Sequence, residues 1–379
     1  MAADRILLLG LMGRYPMAGV GWQALHYIVG LERLGFDVFY AEDSAAPPYD
    51  PRRVELARDA AANVGFVQAT MARTAHPESW AYYDALDDRW HGRGREAVQE
   101  WYATSRQVWN LCGASRLPAV RAGPARRVYV QTDPGYEQIA LQNGDDDIAA
   151  KIDAHDVLFT YGENLAAGVA ALPAVGRTWH PTRPPVLLDQ WAAASAAPDA
   201  PFSTVGSWRN RGKDVVWRGE AHVWSKHEGF EAILDVPRRA GVRMVAALRP
   251  PPDVAARMGG AGWRLRDPWE VSSDLDTYRD FVRASCGELT VAKDVYVRSR
   301  SGWFSDRSAC YLASGRPVVT EDTGIEHGSG VATYRTGDEA VAALRSLPEE
   351  PGVRARVARD SAERFEASRV LGAMLEVIA

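Results

Sequence analysis

Arg300-Ser301-Gly302-Trp303-Phe304-Ser305-Asp306-Arg307-Ser308-Ala309-Cys310-Tyr311-Leu312-Ala313-Ser314-Gly315-Arg316-Pro317-Val318-Val319 is the most informative run of the 379-residue sequence. Ser305 or Asp306 has the short polar side chain of a helix N-cap, and Gly315 is a helix stop. The helix so bounded leaves the N–H groups of its first turn without intrahelical partners, and Arg307 adds a planar fork of donors beside them. Such an end suits an anion of the diphosphate type. Pro317–Thr320 then reads as a strand, so the run is a helix-to-strand turn of an α/β sheet.

Outward from this run the same alternation continues. The pattern predicts a helix around Glu228–Leu234, a strand Arg243–Leu248, a helix Thr277–Ala284 and a helix Glu339–Leu347. Phe202-Ser203-Thr204-Val205-Gly206 opens this half as a strand. Before it, Ala192–Pro201 is small and proline-punctuated, which marks a linker.

The first half begins with the apolar run Ile6–Leu9. A Gly-punctuated loop leads to Trp22, and Leu25, Ile28, Leu31 and Leu34 then recur at helical spacing until Gly35 stops the helix. Asp37–Ala41 is a second strand, so residues 5–43 form a β-loop-α-β unit of parallel type. Val54–Met71 and Arg95–Leu111 read as helices. Val128–Thr132 and Val157–Tyr161 read as strands ending in Asp133-Pro134-Gly135 and Gly162-Glu163-Asn164, natural positions for site residues in a parallel sheet. From Val353 the tail is helical, and Phe365, Leu371, Met374 and Leu375 need a surface to cover.

These elements predict two consecutive Rossmann-like α/β domains facing each other across a cleft. Residues 1–191 form the first and 202–350 the second, with a helical tail over 351–379. At about 150 residues per domain the length agrees. A chain 46% hydrophobic and 25% charged is neither disordered nor collagen-like. A net charge of −5 gives no general attraction to nucleic acid or an anionic membrane, so an anionic ligand needs a local site. No 18-residue apolar run appears, which predicts no membrane span and a cytoplasmic protein. Cys112, Cys286 and Cys310 form no CxxC pair and read as buried thiols.

Gly19-Val20-Gly21-Trp22-Gln23-Ala24 matches GxGxxA, and Glu42 and Asp43 close the next strand, which is the case for a nicotinamide dinucleotide site. The intervening Gly10–Ala18 departs from that pattern. The other readings are a structural glycine turn or a loop whose N–H groups approach a phosphate or substrate. Gly144-Asp145-Asp146-Asp147 reads as a helix end followed by a cap rather than a metal motif, and no metal is expected. Lysine is scarce: Lys151, Lys213, Lys226 and Lys293 stand against forty arginines. Each is a candidate worth locating, although Lys293 reads as a surface residue.

Ala313-Ser314-Gly315-Arg316-Pro317-Val318-Val319 with Glu321-Asp322-Thr323-Gly324 resembles the donor-site segment of GT-B-fold glycosyltransferases. Val205-Gly206-Ser207-Trp208-Arg209 and Lys226-His227-Glu228-Gly229-Phe230 are similar to that family's cationic diphosphate ligands. Tyr161-Gly162-Glu163-Asn164 and Gly302–Arg307 also resemble motifs of a bacterial glycosyltransferase-like group. Aligning the shared ending places Gly302 and Cys310 where retaining members carry two glutamates, so those roles do not transfer; Asp306 is the available hydroxyl acceptor.

The resemblance implies that the helix in 351–379 returns to the first domain, and it implies transfer of a sugar from a nucleoside-diphosphate donor to a small-molecule or glycan acceptor, with no further cofactor. Arg209, Lys226, Ser305, Asp306 and Arg307 would hold the donor, and Gly19, Val20 and Gly21 would approach it from the first domain. A general base, if one is needed, would be Asp133 or Glu163, each at a strand end. His180 reads as structural. A catalytically silent binding protein and an NAD(P)-dependent oxidoreductase are the alternatives.

Overall fold

Ile6, Leu7, Leu8 and Leu9 are all fully buried, which requires cover on both faces of the strand Arg5–Leu9. The computed structural model describes residues 4–194, 196–210 and 212–379; Ser195 of the expected linker lies outside them. Arg5–Leu9 sits inside an eight-stranded sheet. Its order is Trp179–Pro181, Val157–Thr160, Arg126–Gln131, Gln107–Leu111, Arg5–Leu9, Asp37–Glu42, Trp80–Asp84 and Arg89–Gly92. Only the last pair is antiparallel. Leu7 stands opposite Phe39 on one side and Val108 on the other.

The second half folds on a six-stranded, wholly parallel sheet ordered Trp263–Arg266, Met244–Ala247, Phe202–Val205, Gly287–Leu289, Val318–Glu321, Val331–Tyr334. In chain order within that sheet this is 3-2-1-4-5-6, the doubly wound arrangement. The order reverses between Phe202–Val205 and Gly287–Leu289, and ligands of such sheets sit beyond the strand ends at that point.

Three local expectations need correction. The helix expected over Val54–Met71 starts at Ala61, because Tyr49–Asp50 and Glu55–Leu56 pair as a short hairpin. The helix expected over Arg95–Leu111 ends at Thr104; Ser105 turns extended, and Gln107–Leu111 becomes an inner strand buried throughout. Gly19-Val20-Gly21 is not a loop. The helix Ala18–Arg33 begins before it, so both glycines lie in the helix.

The final helix, Ala367–Ile378, lies on Ala18–Arg33, and Val186 pairs with Glu366 in a parallel bridge. A Cβ on Gly30 would stand 2.4 Å from Leu371 Cδ1 and 3.2 Å from Ala367 Cβ, so a side chain here would have to displace Leu371. Leu371, Met374 and Ile378 are buried there. Each is worth about 1.5–3 kcal/mol of transfer free energy.

Candidate functional site

The strand-order reversal of the second sheet places Gly206, just past Val205, beside the end of Gly287–Leu289. Arg307, in the first turn of the helix Asp306–Ala313, ties the two strand ends together. It donates to Val205 O at 2.7 Å, to Thr290 Oγ1 at 2.8 Å and to the fully buried carboxylate of Glu288. Ser308 Oγ donates to the other Glu288 oxygen at 2.6 Å. Glu288 outweighs the effect of burial and holds the guanidinium above its ordinary pKa. Arg307 is therefore a structural cation as well as a candidate ligand.

Lys226 is the contrasting case. It precedes the short helix His227–Ala232 and is buried, and among the described residues its ammonium has no hydrogen-bond or ion-pair partner. Burial, with the cations of Arg307 and Lys293 adding, pushes its pKa well below that of an ordinary lysine. A Cβ built on Gly206 would stand 3.5 Å from Arg307 Nη1 and 3.9 Å from Lys226 Nζ. The two cations thus flank the bare backbone of Gly206. Burying a lysine without a partner is costly, and an anion between these groups would favour its charged form.

The other cations gather nearby. Lys293, expected on the surface, is nearly buried: its Nζ lies 2.8 Å from Asp133 Oδ1 and 3.9 Å from the ring centre of Trp224. Lys213 lies 4.9 Å from the same ring centre. Its pKa is raised, because the Glu137 and Asp133 carboxylates outweigh burial. Lys151 reaches Glu137 at 3.5 Å. All four lysines therefore converge on the region where the end of Arg126–Gln131 meets the second half.

Asp133 receives Tyr296 Oη as well as Lys293. Burial raises its pKa, but Lys293 and Lys213 more than offset this and hold it below the usual carboxylate range. Asp306 behaves oppositely. Its Oδ1 accepts from Gln23 Nε2 at 3.2 Å and Tyr161 Oη at 3.4 Å, both from the first half. Burial pushes its pKa up to about 6, with Asp133 adding and the Gln23 hydrogen bond opposing. Glu321, at the end of Val318–Glu321, is pushed up to about 7 by burial, against the Ala292 N–H and Lys226.

Two motifs that stood far apart in the sequence meet here. Tyr161 Oη bonds Tyr27 Oη as well as Asp306, and Asn164 Nδ2 donates to the carbonyls of Arg300 and Gly324. Trp303 Nε1 donates to Thr132 O at 2.9 Å. A Cβ on Gly302 would meet Asn164 N at 2.7 Å, and Cys310 is buried, so neither position has room for a carboxylate.

Asp133, Lys226, Asp306 and Arg307 thus lie in one neighbourhood, with Ser305 as the residue preceding the helix; Ser305 makes no side-chain cap bond. The remaining candidates are engaged elsewhere. Glu163 forms a two-point pair with Arg183 at 2.5 and 2.9 Å. Arg209 is exposed and reaches His227 Nε2 at 3.1 Å. Gly21 packs on Phe66 and Leu275, and Gly19 faces Tyr278 at 3.8 Å. Val20 is half-buried in the same helical turn. Among the described residues no cluster of three or more His, Cys, Asp or Glu is placed to hold a metal, and no helix is long and apolar enough to cross a membrane.

No family model and no curated protein matches the chain. Solved structures do. AviGT4, a glycosyltransferase involved in avilamycin A biosynthesis, is 14% identical over 99% of this chain and 97% of its own, with a TM-score of 0.56. An α-glucosyltransferase in complex with UDP and a 13-mer DNA is 9% identical over 99% of each chain, at 0.60. Anabaena HepE, in complex with UDP and glucose, is 11% identical over 99% of each chain, at 0.54. The fold is that of the GT-B glycosyltransferases, two Rossmann-like domains in one chain.

Proposed function

We propose that this chain transfers a sugar from a nucleoside-diphosphate donor to a hydroxyl-bearing acceptor. The observation that carries the reading is Lys226: a buried lysine that makes no side-chain hydrogen bond or ion pair among the described residues, beside Arg307 and the bare backbone of Gly206, at the strand-order reversal of the second sheet. A diphosphate there would supply the missing charge, accept from Lys226 and the free face of Arg307, and approach Gly206 closely. The UDP bound in the α-glucosyltransferase and HepE structures supports this class of ligand.

Transfer also requires a group to take the acceptor proton. Asp133 and Glu163, the candidates from sequence, are bound to Lys293 and Arg183. Asp306 is better suited. Its pKa of about 6 leaves it ionised yet appreciably basic at neutral pH, and it faces the first domain through Gln23 and Tyr161. In this reading Asp306 accepts the proton while Lys226 and Arg307 stabilise the departing diphosphate.

The test is a thermal-shift titration with UDP, TDP, GDP and ADP on wild type and Lys226→Met. One nucleoside diphosphate should stabilise the wild type, by about 2.7 kcal/mol at a hundredfold excess over Kd. Lys226→Met should bind it 10- to 100-fold more weakly while melting at a higher temperature when free, since the cost of burying the lysine is gone. Equal affinity in the variant would remove the basis of the proposal.

A further inference from the structure

Away from the cation cluster, a cavity of about 460 Å³ lies between the two halves of the chain. One wall is the hairpin Tyr49–Asp50/Glu55–Leu56 with the helix Ala61–Met71, and the other is the segment Trp269–Leu275. None of Lys226, Arg307, Asp306 and Asp133 lines it. Three half-buried aromatic side chains from three separate elements, Tyr49, Phe66 and Trp269, converge on this one space. Leu56, also in its lining, is 58% exposed. The volume falls in the range of small-molecule sites.

Its lining carries four arginines, Arg52, Arg53, Arg58 and Arg73, and four carboxylates, Asp50, Glu55, Asp59 and Asp274, so the two signs balance. Arg52 pairs with Asp50 at 3.1 Å, Arg73 with Asp276, and Asp274 caps the helix Leu275–Arg283 through Thr277 N. The Arg52 guanidinium lies 5.9 Å from the Trp269 ring centre, one plane of an aromatic-lined space. The wall is anchored rather than loose: Arg249 Nη1 donates to the carbonyls of Pro51 and Arg52 at 3.1 Å each while its guanidinium is paired with Asp267. Aromatic rings from opposite walls, with the lining charges balanced in sign, favour a flat ligand of low net charge.

We propose that this cavity binds a planar, uncharged aromatic small molecule, independently of the nucleoside diphosphate. The test is calorimetric titration of the full chain with coumarin, with and without saturating UDP. Saturable binding is expected in both conditions. It should weaken at least tenfold in Trp269→Ala and in Leu56→Glu, the second being an exposed position where folding is spared, and stay unchanged in Lys226→Met. Absence of saturable binding, wild-type affinity in both cavity variants, or displacement of coumarin by UDP would each overturn the assignment.

Discussion

Gly206 and Gly21 both follow the first strand of their sheet in chain order, Gly206 directly and Gly21 inside the next helix, and their surroundings differ. Around Gly206 the side-chain space holds two cations and no packing partner closer than 3.5 Å. Around Gly21 the same space is filled: a Cβ would stand 2.8 Å from Phe66 Cζ and 3.0 Å from Leu275 Cδ2. The first glycine leaves backbone open beside charge, which suits a ligand; the second lets a helix approach the opposite domain. A glycine motif therefore has no function until its neighbours are known. Here the stronger textual motif, GxGxxA, lies in a helix with Gly21 closely packed, and the weaker one lies beside the two cations.

The comparison is sharpest inside the Gly206 neighbourhood, where the largest effect is expected. Arg307→Met strands the fully buried Glu288, and a broken buried pair costs about 3–5 kcal/mol. Denaturant unfolding should show that loss, and adding Glu288→Gln should restore most of it. If Arg307→Met unfolds at the wild-type midpoint, the division into a structural arginine and a ligand-seeking lysine is wrong.

Gly21→Val tests the other glycine. Its new methyls must displace Phe66 or Leu275, an overpacking cost of about 1–3 kcal/mol. Stability should fall by that amount with UDP affinity unchanged, as read by denaturation and titration of the folded fraction. A large affinity loss without destabilisation would return the motif to ligand binding.

Asp306→Asn probes the seam between the halves. Because the folded carboxyl is raised to about 6, its contribution to stability is fully present below the ordinary aspartate pKa and is lost as pH rises through 6. The variant should match wild type near pH 4 and exceed it above pH 6, by about 1 kcal/mol once solvent screening at this partly exposed group is allowed for. Transfer activity should fall sharply. Parallel stability curves for the two proteins would show that Asp306 is not held as described.

Much of the architecture was legible because it rests on local pattern. Ile6–Leu9 is written in an apolar run, and the stop of the helix Asp306–Ala313 in the left-handed Gly315. The inner strand Gln107–Leu111 was hidden because Gln107 and Asn110 break the apolar run. Gln107 accepts from Trp109 Nε1, and Asn110 bonds the Ser115 backbone, contacts that only the folded chain provides. The site was legible in its parts: Lys226, Arg307, Asp306 and Asp133 were singled out from motifs and strand ends. Lys293 was misplaced and Lys213 left without a role, since their partners lie far away in sequence. The scarcity of lysine was the available signal, and it pointed to all four.

The smallest effect decides most directly between the readings of GxGxxA. Gly19 lies in the helix Ala18–Arg33, and the nearest atom to its missing Cβ is Tyr278 Oη at 3.8 Å, an ordinary contact. Its backbone lies in the helix, so alanine fits without strain, and restricting the unfolded chain should add about 0.4–1 kcal/mol. Gly19→Ala should therefore melt slightly higher, with UDP affinity and NAD(H) response unchanged. A phosphate drawn against the Gly19 backbone would be obstructed by the added methyl, and UDP or NAD(H) binding would weaken despite the gain in stability. The two outcomes move stability and affinity in different combinations, so one variant separates a packing glycine from a phosphate-cradling one.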